Sequence, residues 1–179
     1  MPINENLAKI EAILFASGES VEISKIKQVL KLNEKEFEAC KQSLLEKYSE
    51  NSGIKFLVLG ECLQFASNPN YIEPVREVMD LKRNTPLSSA AMEVLALVAY
   101  NQPVTKAFVE QVRGVDCSGV LSSLSQKELI EEAGRLELPG RPLLYKTTTN
   151  FLRCFGISDI SQLPEFGQSE NEEAKKDDE

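Results

Sequence analysis

Two arginines stand in a stretch rich in glycine, proline and leucine, and their side chains are well suited to specific recognition. The stretch covers residues 134–145, reads GRLELPGRPLLY, and carries Arg135 and Arg141 as its cations. A guanidinium offers a planar fork of donors that fits a carboxylate, while proline and glycine make the loop stiff and turned. The spacing therefore favours a cationic recognition loop, able to bind carboxylates or backbone groups of a partner.

A structural interpretation carries equal weight for the same residues. The two guanidinium groups could cap carbonyls of their own loop or pair with Glu131, Glu132 or Glu137. Pro139 and Pro142 could only stiffen the loop, and Gly140 could only permit its turn. Both interpretations predict the same local shape and differ in whether the arginines contact a partner.

The composition argues against catalysis. The chain contains no histidine, which removes imidazole bases, His-paired nucleophiles and His-containing metal sites. Carboxylates remain, but no phosphate-binding glycine loop, HExxH motif or nucleophile elbow accompanies them. The four cysteines form no CxxC pair and are predicted to be reduced thiols: Cys40, Cys62, Cys117 and Cys154. We predict no enzymatic activity, no metal and no cofactor.

The charge distribution and the hydropathy limit the classes of partner and the cellular location that the sequence favours. The net charge is −8, and seven acids against two lysines fall in the last residues, from Pro164 to Glu179. This segment is too acidic and too poor in apolar residues to fold, so it predicts a solvated tail and leaves a nearly neutral body. No secretory leader and no membrane-spanning run is evident, which favours a cytosolic protein without membrane contact.

The first half of the chain predicts three helices. Apolar residues recur at helical spacing from Leu7, and again from Ile23 to Leu30. Asn33, with Glu36 three positions later, forms a capping box that opens the third helix. A weaker helical pattern covers residues 70–84 and ends before a Thr-Pro pair, where helix is disfavoured.

Between the third helix and that weaker pattern, the apolar residues recur at every second position, which is the period of a β-strand. A Gly60-Glu61 turn of type II′ joins the two predicted strands, since glycine tolerates the positive φ of its first position. This register sets apolar residues opposite one another on one face: Val58 with Leu63, and Phe56 with Phe65.

The second half repeats the order. Ser88 caps a helix over residues 90–100 that is apolar almost all round, Thr105 caps the next, and Asp116 caps the third. We expect the second of these helices to turn its apolar residues inward, namely Phe108, Val109 and Val112. Strands are predicted at residues 129–133 and 143–147, and a last helix begins after Thr148.

Three helices followed by a hairpin is the order of a winged helix, whose hairpin loop is the wing. The fold class is therefore predicted to be mainly α with small β hairpins (α+β), in two tandem winged-helix domains with a disordered acidic tail. We place the first domain and its linker helix at residues 1–84, the second at 85–164, and the tail at 165–179.

The third helices are poorly suited to DNA. A DNA-reading winged helix places basic or amide side chains on the outward face of this helix. Here the second module offers mostly serines and the single cation Lys127, and residues 104–149 hold six cations against six acids. Such a surface neutralises few phosphates, so we expect DNA to bind weakly or only indirectly and favour a protein partner.

Residues 87–166 resemble the segregation and condensation protein B family, an accessory subunit of the bacterial chromosome-organising SMC complex. The first half resembles it more loosely, through residues 11–19. Residues 125–128 depart from the pattern, where a more basic, glycine-containing turn is expected. The matching runs of the second half are residues 87–88, 91–96, 99–100, 102–105, 112–115, 129–130, 134–135, 139–145, 147–148, 151–152, 155–156 and 163–164.

The resemblance implies a homodimer built mainly by its first domains, and binding of the kleisin subunit (ScpA-like) and through it of the SMC ATPase. It implies a nucleoid-associated, cytoplasmic role in chromosome condensation and segregation during cell division, without catalysis in this subunit. The candidate partner-binding residues are those of the predicted wing together with Arg113, which lies in a matched run: Arg113, Arg135, Pro139, Gly140, Arg141 and Pro142.

Three hypotheses therefore stand. The leading one is a scaffold that holds a kleisin-type partner. The alternative is a dimeric winged-helix DNA-binding transcription regulator, which predicts a sequence-specific footprint without a partner. An enzyme that uses carboxylates alone is the third, and nothing in the sequence places two acids in a defined cleft.

Overall fold

The computed structural model describes residues 3–79 and 86–165. The predicted boundary at residues 84 and 85, and the tail after residue 165, lie outside the described residues. Within them the chain is mostly helical and carries two small antiparallel sheets, an α+β architecture. No helix in those two ranges is long and apolar enough to cross a membrane.

The first half forms three helices, a three-stranded sheet and a fourth short helix. The elements are α1 (Ile3–Ser17), β1 (Val21–Glu22), α2 (Ile23–Leu30), α3 (Glu34–Lys47), β2 (Ile54–Leu59), β3 (Cys62–Ser67), a 3-10 turn (Pro69–Tyr71) and α4 (Ile72–Val78). The predicted helix over residues 70–84 is thus a 3-10 turn and a seven-residue helix within the described part of the chain.

The second half repeats the order. Its elements are α5 (Ser89–Asn101), β4 (Val104–Thr105), α6 (Lys106–Arg113), α7 (Ser118–Gln126), β5 (Ile130–Arg135), β6 (Leu143–Thr147), α8 (Thr149–Phe155) and a 3-10 turn (Ile160–Gln162). In each half a short strand before the second helix pairs with the last strand of the hairpin, giving the orders β1-β3-β2 and β4-β6-β5. The sequence did not predict these short strands, because two residues are too few to show a period.

Local hydrogen bonds explain where the helices begin. The Asn33 side chain accepts from the Glu36 amide at 3.0 Å, and the Glu36 carboxylate accepts from the Asn33 amide at 3.0 Å, which confirms the predicted capping box. Ser88 and Thr105 cap their helices in the same manner as predicted. The expected cap of α7 at Asp116 is wrong, because Cys117 holds the cap position and the Asp116 carboxylate instead accepts from the Ser118 hydroxyl at 2.6 Å.

The first hairpin has the predicted register. Val58 pairs with Leu63 and Phe56 with Phe65, and Gly60 takes φ +59° at the first loop position. The sequence predicted one apolar face, but the opposite face is also used, because Leu59 is buried in the core of the second half.

Two apolar cores hold the elements. The first is centred on Ile10, Leu14 and Phe37, and the second on Val94, Val98 and Phe151, all almost fully buried. Val109 is buried as predicted, but the inward placement of its neighbours is wrong: Val112 is 55% exposed and Phe108 is 36% exposed. Of these three residues only Val109 packs in the second core, and the other two lie on the solvent side of this eight-residue helix.

Candidate partner-binding surface

The loop between β5 and β6 is folded on itself by backbone hydrogen bonds. The Leu136 amide donates to the Pro142 carbonyl at 2.9 Å, and the Arg141 amide donates to the Leu138 carbonyl at 2.8 Å. Pro139 and Gly140 are the central residues of that second turn, and Gly140 has φ +86°. Proline followed by a glycine of positive φ is the signature of a type II turn, so the predicted stiff loop has a specific backbone basis.

Arg135 and Arg141 make the contacts of the structural interpretation. Arg135 donates from Nη1 to the Arg141 carbonyl at 3.0 Å, and Arg141 donates from Nη2 to Glu137 Oε1 at 2.8 Å. The Arg141 side chain nevertheless remains 66% exposed. One arginine therefore braces the loop, while the other keeps its guanidinium at the surface in a pair that is screened by solvent and exchanges easily.

Arg113 makes its contacts with α5 and not with the loop. Its Nη1 pairs with Glu93 Oε2 at 2.8 Å and donates to the Ala90 carbonyl at 3.1 Å. These bonds tie the end of α6 to the beginning of α5. The structure thus places four of the six candidate residues in the loop, Arg135 at the end of the strand before it, and Arg113 in a helix–helix contact.

Exposed apolar side chains lie in the loop and on α6, and the sequence did not predict their exposure. Leu136 and Leu138 project from the loop, and Leu138 is 56% exposed. On α6 and just after it, Phe108, Val112 and Val115 are also exposed. The signal available for the loop was the alternation Leu-Glu-Leu beyond the end of the strand, where no core lies opposite.

Most cations of this half are paired with carboxylates of the same half. Lys106 lies 3.4 Å from both Glu110 and Asp116, and Lys146 lies 3.2 Å from Glu131. The hydrogen bond from Ser118, followed by contacts with Glu110 and Lys106, lowers the pKa of Asp116 to about 2. Acids that already neutralise these cations leave little positive potential for a phosphate backbone.

The α7 helix presents a weakly charged outer face. Ser118, Ser122, Ser123 and Gln126 are exposed on it. Gln126 donates to the Ser122 hydroxyl at 3.4 Å, so part of its hydrogen-bonding capacity is used within the helix. Among the described residues, no group of three or more histidine, cysteine or acidic side chains is arranged to hold a metal ion.

Comparison with known proteins identifies the family. The model of the segregation and condensation complex subunit ScpB matches residues 8–166. The chain is 40% identical to segregation and condensation protein B of Ruminiclostridium cellulolyticum, over 87% of this chain and 82% of that protein. It is 42% identical to segregation and condensation protein B of Caldanaerobacter subterraneus, over 88% of this chain and 94% of that protein.

A solved structure of an ScpB domain is also similar to this chain, at lower sequence identity. A crystal structure of a dimer of the ScpB N-terminal domain complexed with ScpA peptide is 26% identical, and the match covers 44% of this chain and 99% of that chain. Its TM-score of 0.40 is too low to support a structural comparison. The sequence matches suffice, and the chain belongs to the segregation and condensation complex subunit ScpB family.

Proposed function

We propose that this chain is a non-enzymatic scaffold subunit of an SMC–kleisin complex, which binds the kleisin subunit and supports chromosome condensation and segregation during cell division. The observation that carries the proposal is the family match over residues 8–166. The kleisin links it to the SMC ATPase, and it works in the cytoplasm at the nucleoid as a homodimer. No catalytic residue, cofactor or metal belongs to this function.

The proposal includes two tandem winged-helix domains. They cover residues 1–84 and 85–164, with residues 165–179 as an acidic tail. The repeated order of three helices and a three-stranded sheet supports this division, as do the two separate apolar cores. The first domain carries dimerisation, and the second carries partner binding.

The second domain binds its partner through the wing. Arg141 offers an exposed guanidinium, which orients a carboxylate or backbone carbonyl of the kleisin, and Leu136 and Leu138 offer apolar contact beside it. Arg135 acts through the loop, because its bond to the Arg141 carbonyl holds the turn in shape. The family name together with the paired cations of this half supports a polypeptide partner over duplex DNA.

The test is co-purification with a kleisin fragment, using matched arginine variants. Arg141→Ala should weaken kleisin binding about 5- to 30-fold, the loss expected for one charge-assisted contact, and leave the thermal midpoint unchanged within error. Arg153→Ala is the control, since Arg153 is an exposed arginine of α8 that hydrogen-bonds Asn150 outside the wing.

Either of two results would contradict the assignment. Equal binding by wild type and Arg141→Ala, with a lower thermal midpoint in the variant, would make Arg141 a structural residue only. A sequence-specific DNA footprint at nanomolar protein without kleisin would instead favour a transcription regulator.

A further inference from the structure

A largely apolar groove lies on the second half, bounded by α5, by α8 and by the segment that follows α8. Its volume is about 310 Å³, and it is lined by Ala96 and Ala99 of α5 and by Phe151 and Phe155 of α8. The two aromatic rings are stacked, with their centroids 4.5 Å apart. The groove therefore offers methyl and aromatic surface, which suits an uncharged apolar side chain.

The described part of the chain ends at the rim of this groove. Leu163 and Pro164 line it, and the Tyr100 hydroxyl donates to the Pro164 carbonyl at 2.6 Å, which holds the segment against α5. Glu165 is the last described residue. Phe166 follows two positions after Pro164, and two residues of extended chain span at most about 7 Å. The Phe166 side chain is therefore within reach of the groove.

The composition of the terminal segment singles out Phe166. Between residues 165 and 179 it is the only large apolar residue, and Ala174 is the only other apolar one. Charged and amide side chains lose hydration in an apolar groove and gain no partner there. Phe166 is thus the side chain of this segment that the groove favours.

The size of the groove fits a phenyl ring. An apolar cavity of roughly 150 Å³ admits benzene, and the groove has about twice that volume. Aromatic rings prefer offset or edge-to-face contact at centroid separations of about 4.5–7 Å. A third ring beside Phe151 and Phe155 can make such contacts and leave space for its own Cβ and backbone.

The covalent link favours this ring over a side chain from another molecule. A short link gives an effective concentration on the order of millimolar. A separate molecule at about micromolar concentration would need roughly 1000-fold tighter intrinsic binding to take the same groove.

We propose that the Phe166 side chain occupies the groove of its own chain and closes it to apolar side chains of other molecules. The ring extends the second core and fixes the point from which the acidic segment leaves the domain. The leucines of the loop between β5 and β6 stay exposed. This contact goes beyond the proposed function, because it requires no kleisin.

The first test uses the fact that the chain contains no tryptophan. In the full-length Phe166→Trp variant, the indole should emit at shorter wavelength, and be quenched severalfold less by acrylamide, than in Ala174→Trp. The second variant is the matched control, since it places the same fluorophore in the same terminal segment. Equal emission and equal quenching in the two variants would overturn the proposal.

A second substitution shows whether the indole is buried in this groove. Ala96 is half-buried in the groove lining, and Ala96→Leu would fill part of the space. Combined with Phe166→Trp, it should shift the emission to the wavelength of Ala174→Trp. Emission that stays at short wavelength would place the ring elsewhere and contradict the proposal.

Thermal unfolding gives an independent measure. Phe166→Ala should lower the thermal midpoint by about 3–8 °C, because a buried aromatic ring is removed from a chain of this size. Leu138→Ala, at a leucine that is 56% exposed, is the control and should leave the midpoint nearly unchanged. Equally small shifts in both variants would count against a buried Phe166.

Cross-linking identifies which molecule supplies the ring. Cys62 and Cys154 are first replaced by serine, and Met92→Cys is introduced because Met92 lines the groove and is exposed. With Phe166→Cys in the same chain, a short bifunctional thiol cross-linker should link the two positions within that chain. When the two substitutions are on separate chains that are mixed, a cross-linked heterodimer would assign the ring to a second copy and overturn the proposal.

A kleisin fragment provides the remaining outcome. Emission of Phe166→Trp that stays at short wavelength when the fragment binds supports the proposal. A shift to longer wavelength on binding would assign the groove to the kleisin and overturn it. Failure of the proposed function would appear instead as lack of kleisin binding by the unmodified chain, whereas failure of the Phe166 contact appears in the emission without any kleisin.

Discussion

The two hairpins of this protein hold the same place in the order of elements and serve different surfaces. The first, β2–β3, has a two-residue turn and points into the molecule: the Gly60 amide donates to the Ser158 carbonyl at 2.7 Å, and Leu59 is 2% exposed in the second core. The second, β5–β6, carries the loop from Leu136 to Pro142 and points into solvent. Turn length and the side chains beside it decide whether a hairpin joins the two halves or remains in solvent.

The two turns occupy equivalent positions of the repeated fold and make different contacts. The tight turn packs Gly60 beside Leu152 of α8, and its backbone amide donates to the Ser158 carbonyl in the segment after α8. Ser20 and Thr149 add a hydroxyl pair at 3.3 Å across the same junction. The long loop instead satisfies its own backbone and leaves leucines and a guanidinium exposed.

The largest effect is expected from placing a charge at the inner hairpin. Leu59→Asp would bury an unpaired carboxylate in the second core and should lower the free energy of unfolding by about 3 kcal/mol or more. Leu138→Asp, at the exposed loop, should change it by less than about 0.5 kcal/mol. Urea denaturation of the two variants measures the difference, and similar losses in both would remove the distinction between the hairpins.

A smaller effect is expected from adding one methyl group to each turn glycine. Gly60→Ala should cost about 1–2 kcal/mol of stability, because φ is +59° and the bond to Ser158 prevents the turn from relaxing. Gly140→Ala should cost a similar amount, about 1–2 kcal/mol, because φ +86° is strained for alanine even though no atom lies within 4 Å of the added carbon. The two variants are therefore expected to differ in partner binding and not in stability.

For that pair of variants, kleisin affinity gives the complementary measurement. Gly140→Ala should weaken binding severalfold, because a reshaped turn moves Arg141, whereas Gly60→Ala should bind normally once folded. The reverse pattern, with binding lost only in Gly60→Ala, would place the partner at the junction of the halves.

Sequence patterns predicted the elements that depend on neighbours in the chain. The capping box of Asn33 and the pairing of Val58 with Leu63 are confirmed because each is set by spacing of a few residues. The second apolar face of β2 was missed, since Leu57 and Leu59 look like ordinary outward positions until the other half is placed against them.

The candidate surface was predictable in part for the same reason. Glycine and proline at residues 139–142 indicate a turned, exposed loop, and the structure has one. Whether Arg135 braces that loop depends on a bond to the Arg141 carbonyl, which no spacing rule predicts. The exposure of Phe108 and Val112 was also missed, because a helical period shows that residues share a face and not what lies opposite.

The central claim is that the second half binds a polypeptide through a surface on which most cations are paired with acids of the same half. The most direct measurement is the affinity of the full chain for a kleisin fragment and for duplex DNA, titrated side by side from about 50 to 200 mM salt, the range over which phosphate contacts lose most of their strength. We predict kleisin binding that persists across the range and DNA binding that is weak at low salt and lost at high salt. Tight DNA binding that survives 200 mM salt, with no affinity for kleisin, would contradict the account.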